Sequence, residues 1–458
     1  MVQVRPEADF SNEAAFLEIA TLSDEESMIK KAAHSVAKDV IRPASIALDR
    51  MNAKDRILPE SPYFYAISKL RSLGYHRMFL PGQYLDDGDQ VSPLAKAIFL
   101  EELGWGSLGI ATSFGVDVLT FSLVAMFGSD ELKAELLDPW ISDSEGRFHG
   151  CWGATEPSHG SDGIMALRDL GSTNFGKWQV TARADGSDWI ISGQKSAWVS
   201  SAPIASHCVL HAQNSQSDGP AHGMLFIVDL SSPGVSIGPP IDMLGVRDDP
   251  QGEIFFDEVR VPGRCLLVAD SPFYPIFVDQ LLCTTSVNIA NIATGVARAC
   301  LEEALSYATK RVQGGVAISE HKNIQLTLYS MFEKVETSRS YARQMLRYTD
   351  RFTEVEASNS QSNLGFAIGP LAFSSPRHCR SSQIYAKRVA FEVANDALQV
   401  IGAMGLSDDS LIQKLFRDAR SLWIEDGTLE VLALDAARNL IGNYDKYEYD
   451  PQEVAQKW

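Results

Sequence analysis

The hydrophobic period of this chain changes twice, and that order restricts its fold more than any other feature. From about residue 22 to 145 apolar residues recur at helical spacing, as in Ile29, Ala33, Val36, Ala37 and Val40. Ser23 is placed to cap that first helix, with Asp24, Glu25 and Glu26 in the turn that follows. Pro93–Gly104 and Val116–Phe127 carry the same period. Near residue 148 the pattern breaks into short runs: Trp178–Arg183, Trp189–Ile191, Cys208–Leu210, Met224–Val228 and Ile254–Phe256. Asp185-Gly186, Ser192-Gly193, Pro233-Gly234 and Gln251-Gly252 punctuate them, which predicts strands joined by turns. After Val261-Pro262-Gly263 the helical period returns from about 272. The expected fold is therefore α+β and multidomain. It has an N-terminal helical domain (20–146), a middle β-barrel or sandwich domain (147–263) and a C-terminal four-helix-bundle domain (272–445). No Gly-x-Gly-x-x-Gly follows a strand and no phosphate-binding loop of Walker type occurs, so the order argues against a Rossmann fold. One long interruption, Asn359–Ser382, reads as a surface loop inside the last helical region.

Charge and cysteine usage narrow the partners. A net charge of −19 disfavours nucleic acid and anionic membrane, both of which need a basic face. Cys151, Cys208, Cys265, Cys283, Cys300 and Cys379 form no CxxC pair and no zinc-type cluster with histidine, so no metal site is expected and a reducing compartment fits. The first residues, Met1–Asp9, resemble neither a signal nor a transit peptide. No run of about 18 apolar residues is evident, which predicts no membrane span. The expected location is cytoplasmic.

Three segments carry chemistry. Trp152-Gly153-Ala154-Thr155-Glu156-Pro157-Ser158-His159-Gly160-Ser161-Asp162 is a turn rich in small and hydroxyl residues. Trp189–Ser200 is a hairpin ending in Trp198-Val199-Ser200. Gln399-Val400-Ile401-Gly402-Ala403-Met404-Gly405 precedes Glu425-Asp426-Gly427-Thr428. Together, in this order and over about residues 22 to 442, they resemble the acyl-CoA dehydrogenase flavoproteins. Val259-Arg260-Val261-Pro262 and Tyr307-Ala308-Thr309-Lys310-Arg311 are similar to further stretches of that family. The resemblance implies FAD as cofactor, with Trp152, Thr155, Trp198, Ser200 and Thr428 among the residues that bind it and Ser161 reaching a phosphate or the substrate's carrier. It implies that Arg311 contacts the pyrophosphate. Gln399, Gly402 and Gly405 would bind the adenine half of an FAD belonging to a neighbouring subunit, which makes the protein at least a homodimer and by family habit a homotetramer. It places Asp426 where the family has its catalytic glutamate, as the base for α,β-dehydrogenation of an acyl substrate, with Glu425 as the rival carboxylate. His159 reads as an exposed turn residue.

The chain departs from the family in several places. Cys283 and Ser286 stand where the family's Asp-x-x-Arg pair supports CoA. Asp248 and Asp249 follow Arg247, near where an anionic nucleotide would enter, and like charges there are unfavourable. These changes weaken the case for free CoA thioesters and open the way to an acyl chain on a carrier protein or a substrate without CoA. The resemblance itself implies an acyl thioester, on CoA or a carrier, with an electron-transfer flavoprotein as electron acceptor. An oxidase of the same fold is the alternative. Its nitroalkane-oxidase branch also uses an aspartate as base, and Glu336–Arg339 looks somewhat like that branch, but Ala433 stands where the branch has an arginine. A non-catalytic FAD-binding protein is the third reading.

Overall fold

A computed structural model of the chain describes residues 19–84, 91–163, 178–217, 222–271, 274–357 and 375–442. Among these, seven helices come first: α1 (Asp24–Val36), α2 (Arg42–Asp49), α3 (Ala53–Arg56), α4 (Pro62–Ser72), α5 (Pro93–Gly106), α6 (Leu108–Phe127) and α7 (Asp130–Ser142). Ser23 caps α1 as its sequence predicts. Its hydroxyl accepts from the Glu26 N–H at 3.1 Å, while the Glu26 carboxylate accepts from the Ser23 N–H at 2.9 Å.

One sequence expectation is overturned in this layer. Helix α6 is long and apolar enough to cross a membrane, as are stretches within Tyr274–Lys310 and Pro376–Leu406. Asp117 breaks the run in the sequence, although in the fold it is buried and paired with Arg71 at 2.5 Å, and Thr112 and Thr120 disguise the run further. Their hydroxyls turn back onto the carbonyls of Leu108 (2.9 Å) and Val116 (3.0 Å), so little polarity is presented outward. A helix that is apolar all round belongs in a core or a bilayer. Here Ile110, Phe114, Phe121 and Val124 of α6 are buried in the main core.

The middle of the chain forms one eight-stranded mixed sheet. Its strands are β1 (Gly150–Gly153), β2 (Thr181–Asp185), β3 (Asp188–Ser200), β4 (His207–Asn214), β5 (Gly223–Asp229), β6 (Val235–Ile237), β7 (Gln251–Val261) and β8 (Leu266–Val268). Their order is β6-β7-β3-β2-β4-β5-β8, with β1 beside β4. Strands β1 and β2 share one edge of β4, both parallel to it; the other pairings are antiparallel. The β3–β7 register slips between Lys195 and Val199: four steps along β3 match only two along β7. That bulge lifts Ser196–Trp198 off the ladder.

Three long helices and two short ones follow among the described residues: α8 (Tyr274–Lys310), α9 (Lys322–Ala357), α10 (Ser375–Ile401), α11 (Leu411–Ser421) and α12 (Leu429–Gly442). The predicted loop 359–382 needs correction at its end. Residues 375–382 are the first turns of α10, with Pro376 second, where a missing N–H is harmless. Residues 359–374 lie outside the described residues.

The two helical layers lock together through buried charge. Helices α5 and α8 cross at Gly104 and Gly295; a Cβ on either would lie 2.0 Å from the carbonyl oxygen of Ile292 or Glu101. This close approach puts the Glu101 carboxylate among three arginines: Arg298 (2.8 Å), Arg339 (2.9 Å) and Arg343 (3.0 Å). Although burial alone would raise the Glu101 carboxyl, these guanidinium groups hold it well below the usual range. Glu101→Gln keeps the shape and leaves three buried cations short of their counter-ion. It is expected to lower stability by about 3–5 kcal/mol, read as a fall in the urea midpoint.

Candidate functional site

The turn that begins at Thr155 is fixed from beneath. The Glu156 carboxylate accepts from the N–H groups of Gln179 (2.5 Å) and Val180 (3.1 Å) and pairs with the Lys195 ammonium at 2.9 Å. Both charged side chains are fully buried. Lys195 also donates to the Ala154 carbonyl at 3.2 Å. With its carboxylate so anchored, the turn holds Thr155 against the β3 bulge, where the Thr155 and Ser196 hydroxyls lie 2.5 Å apart. The bulge then throws the Trp198 ring outward, 62% exposed. Beside this turn, the indole N–H of Trp152 is buried without a partner.

The second half of the site comes from the C-terminal helices. After α11 the chain turns sharply through Trp423–Thr428, with Asp426 at φ 49° and Gly427 at φ 88°. Both are left-handed, a conformation that aspartate tolerates better than most residues and glycine adopts freely. The Thr428 N–H donates to the Ser161 hydroxyl at 3.1 Å. That bond joins the two sequence motifs across 267 positions and sets Asp426 next to the Thr155–Ser161 turn. Asp426 is half-buried. Gln383 donates to its Oδ2 at 2.8 Å and to its carbonyl at 3.0 Å. The buried Lys387 ammonium donates to the carbonyls of Glu425 (2.5 Å) and Gly427 (3.1 Å), with that of Asp426 at 3.4 Å.

Of the residues singled out in the sequence, Ser161 and Thr428 meet at this junction, Thr155 shares the turn of Ser161 and Asp426 the turn of Thr428, while Trp152 lies in β1 just before the first turn and Trp198 and Ser200 lie at the end of β3 beyond Ser196. Arg311, Gln399, Gly402 and Gly405 do not adjoin it. Gln399 follows Gln383 on α10 by 16 residues, or about 24 Å of helix. Gly402 adopts φ 70° with nothing within 4 Å of a Cβ placed there, and Arg311 and Gln399 are exposed.

Three readings are corrected. His159 is buried, not exposed; its ring packs edge-on against Trp178 at 5.4 Å and its Nδ1 lies 3.3 Å from Asp162. Asp248 and Asp249 do not line an entrance: both are buried. Asp248 Oδ2 accepts from the hydroxyls of Ser45 and Ser107 and lies 3.5 Å from Lys414 Nζ, while Asp249 Oδ2 accepts from Ser200 (2.7 Å) and Gln251 (2.9 Å). The place of the missing arginine is filled from another helix, since Arg380 of α10 donates to the Ser286 hydroxyl at 2.6 Å. Arg380 is fully buried and also bonds Asp435 at 3.1 Å. Sequence reading missed Glu156, Lys195, Gln383 and Lys387. Only the Glu inside Thr155-Glu156-Pro157 gave any signal, because an apolar turn has no use for it.

Two acids lie near the junction, Asp249, which is buried, and Glu425, which is half-buried with one oxygen sealed. Burial, and then the neighbouring Asp248, raise Asp249 to about 7 against the hydrogen bonds from Gln251 and Ser200. Burial and then Asp249 raise Glu425 to about 8; Asp418 and Asp426 add to this and Lys387 opposes it. Glu425 Oε1 is sealed from solvent without a partner. Lys387 is itself lowered to about 8, by burial, against the pull of Asp426 and Glu425. The native state thus holds protons on both acids that the unfolded chain releases near pH 4. Their stabilisation is complete below pH 4 and is lost as pH rises through about 7 and 8. Asp249→Asn and Glu425→Gln should each flatten the fall in melting temperature between pH 5 and 8, measured by scanning calorimetry. An unchanged slope would contradict the assignment.

Comparison with known proteins identifies the family. Three family models match in order: the acyl-CoA dehydrogenase N-terminal domain over residues 23–144, the middle domain over 151–259 and the C-terminal domain over 280–441. The short-chain specific acyl-CoA dehydrogenase of rat mitochondria is 27% identical over 428 residues, covering 92% of each chain. A probable acyl-CoA dehydrogenase of Bacillus subtilis is 27% identical over 92% of this chain and 99% of its own. The crystal structure of glutaryl-CoA dehydrogenase from Mycobacterium smegmatis superposes with a TM-score of 0.74 at 25% identity, covering 94% of this chain and 98% of that one. The chain belongs to the acyl-CoA dehydrogenase family of FAD-dependent oxidoreductases.

Proposed function

We propose that the protein catalyses FAD-dependent α,β-dehydrogenation of an acyl thioester, with Asp426 as the base that takes the α-proton. The observation that carries this reading is the Ser161–Thr428 bond, which sets the carboxylate of Asp426 beside the turn of Thr155. The residues present fit a flavin. The exposed side chains of Trp198 and Ile424 offer apolar cover to a flat ligand, and Trp152 keeps a buried donor without a partner. Trp152, Thr155, Ser161, Trp198, Ser200 and Thr428 would hold the flavin half of FAD, which when bound supplies the acceptor for the β-hydrogen. Gln399, Gly402 and Gly405 would hold the adenine half of an FAD in a neighbouring subunit, because about 24 Å of helix separates Gln399 from Gln383, which bonds Asp426 in its own chain, and Arg311 would contact the pyrophosphate. An obligate dimer, and by family habit a tetramer, follows from that sharing.

The choice between the two carboxylates rests on access. Glu425 has an oxygen sealed from solvent and a carboxyl pushed up to about 8, so it holds its proton at neutral pH. Asp426 is half-buried and has one oxygen, Oδ1, that Gln383 does not engage. The substrate's carrier is CoA or a protein-bound thioester. Arg380, which replaces the absent arginine at Ser286, is locked in the core and is not presented to a solvent-borne nucleotide. An electron-transfer flavoprotein is the proposed acceptor of electrons, and the cytoplasm the proposed location.

Anaerobic mixing with a panel of CoA thioesters, carrier-bound thioesters and nitroalkanes tests this. Flavin bleaching by thioesters, followed by slow reoxidation in air, is the expected result; rapid reoxidation identifies an oxidase, and no bleaching by any compound refutes catalysis. Asp426→Asn should keep FAD and lose turnover by about 100- to 10,000-fold. Glu425→Gln should stay active. The reverse pattern would assign the base to Glu425.

A further inference from the structure

We propose that Gln383 and Lys387, one turn apart on α10, are positioning residues that hold the short Asp426 carboxylate at its working place. The inference rests on the reading of Asp426 as the base. Gln383 is fully buried, and its amide spans the backbone and side chain of the same residue, donating to Asp426 O at 3.0 Å and Oδ2 at 2.8 Å. The amide orientation is compelled. Turned over, it would set its oxygen against two acceptors, the Asp426 carbonyl and carboxylate. Its own oxygen, Oε1, is buried without a partner, so the side chain is not placed there to satisfy itself. An unpaired buried acceptor is unfavourable, and it is tolerated here in exchange for two donations to one aspartate.

Lys387 acts on the backbone of the same turn. Consecutive left-handed residues at 426 and 427 direct the carbonyls of Glu425, Asp426 and Gly427 to one side, and one ammonium collects all three. Lys387 is fully buried, and these carbonyls satisfy its donors. Removing it takes the donor from the carbonyls of Glu425 and Gly427 and leaves that of Asp426 to Gln383 alone. The two residues act on different parts of Asp426. Lys387 fixes the backbone from which the aspartate springs, and Gln383 fixes the rotation of its carboxylate. An aspartate reaches about 1 Å less far than a glutamate, and a displacement of that size can cost about 100-fold in rate. A short base therefore needs its approach set from behind. Engaging Oδ2 leaves Oδ1 as the oxygen for the α-proton.

Gln383→Leu tests the proposal in the FAD-loaded enzyme, using whichever thioester bleaches the wild type. The expected result is a kcat lower by about tenfold, the order of one positioned bond to an ionised acceptor, with KM within about twofold. The isotope effect on kcat with α-deuterated substrate should rise, because proton abstraction becomes more limiting. Flavin content, flavin spectrum and melting temperature should not change. Unchanged kcat and isotope effect would overturn the proposal, as would a loss explained by lost FAD or lower melting temperature. A second variant separates placement from packing: in the Asp426→Glu background, where the longer chain supplies its own reach, Gln383→Leu should cost less than it does in the wild type. Equal costs in the two backgrounds would overturn it. Asp426→Asn in the same assay keeps the two claims apart. If Asp426→Asn is active the base is misassigned; if it is inactive and Gln383→Leu is unaffected, only the positioning role fails.

Discussion

Three parts of the chain meet on the Oδ2 atom of Asp248. It accepts from Ser45 in α2 and Ser107 at the start of α6, and it lies 3.5 Å from the ammonium of Lys414 in α11, while its own backbone leads into β7. The loop carrying it adopts a conformation that no β-branched residue takes for free: Val246 sits at φ 47° and is fully buried. Such a residue costs about 1–3 kcal/mol and persists only where the surroundings dictate it. Here they do. The Val246 N–H donates to Asp418 at 2.7 Å, a Cβ on Gly245 would lie 2.3 Å from the Arg417 carbonyl oxygen, and Arg417 grips Asp49 through both Nη atoms at 2.6 and 3.0 Å. The tight turn sends two neighbouring aspartates in different directions, Asp248 to the helical layers and Asp249 to Ser200 on β3.

This junction explains why so much acid is buried beneath the site. Asp248, Asp249, Asp418 and Glu425 lie in one electrostatic neighbourhood with two lysines, Lys414 and Lys387. Lys414 bridges Asp248 and Asp418 and is pushed upward by them against the effect of burial. Two cations do not balance four carboxylates, and burial raises Asp249, Asp418 and Glu425 towards neutrality. Asp426 is half-buried beside them and adds to the raising of Glu425.

Much of this was legible in the sequence, and what escaped has a common cause. Period and turn chemistry are local, so the cap at Ser23, the strands after residue 148 and the long helices after 272 could be read directly. The motifs around Thr155, Trp198 and Asp426 were legible as a set because their order is informative even when each is weak. Burial was not legible. His159, Asp248 and Asp249 look like surface residues in a polar stretch, and only packing against Trp178 or against two serines and a lysine makes them interior. Compensation across helices was hidden as well. Ser286 shows a missing arginine, but nothing in its neighbourhood of sequence points to Arg380, 94 positions away. The apolar run of α6 was missed for the opposite reason, since Asp117 and the threonines count as polar in the sequence, while in the fold Asp117 is neutralised by buried Arg71 and the threonines bond their own helix.

The aspartate at 426 follows from the backbone as much as from the side chain. Left-handed φ is disfavoured for residues with long or branched side chains, and aspartate is among the few that adopt it readily. A turn with two successive left-handed residues therefore favours the shorter acid, and the same turn gathers three carbonyls where one lysine can hold them. Side-chain length, backbone conformation and Lys387 are in this sense one adaptation. Changing the acid alone would leave a carboxylate in the wrong place, and changing the turn alone would leave a buried ammonium without acceptors. Gln383 completes the set, since a short carboxylate on an unusual backbone still has one free rotation about χ2, and a single amide donor removes it.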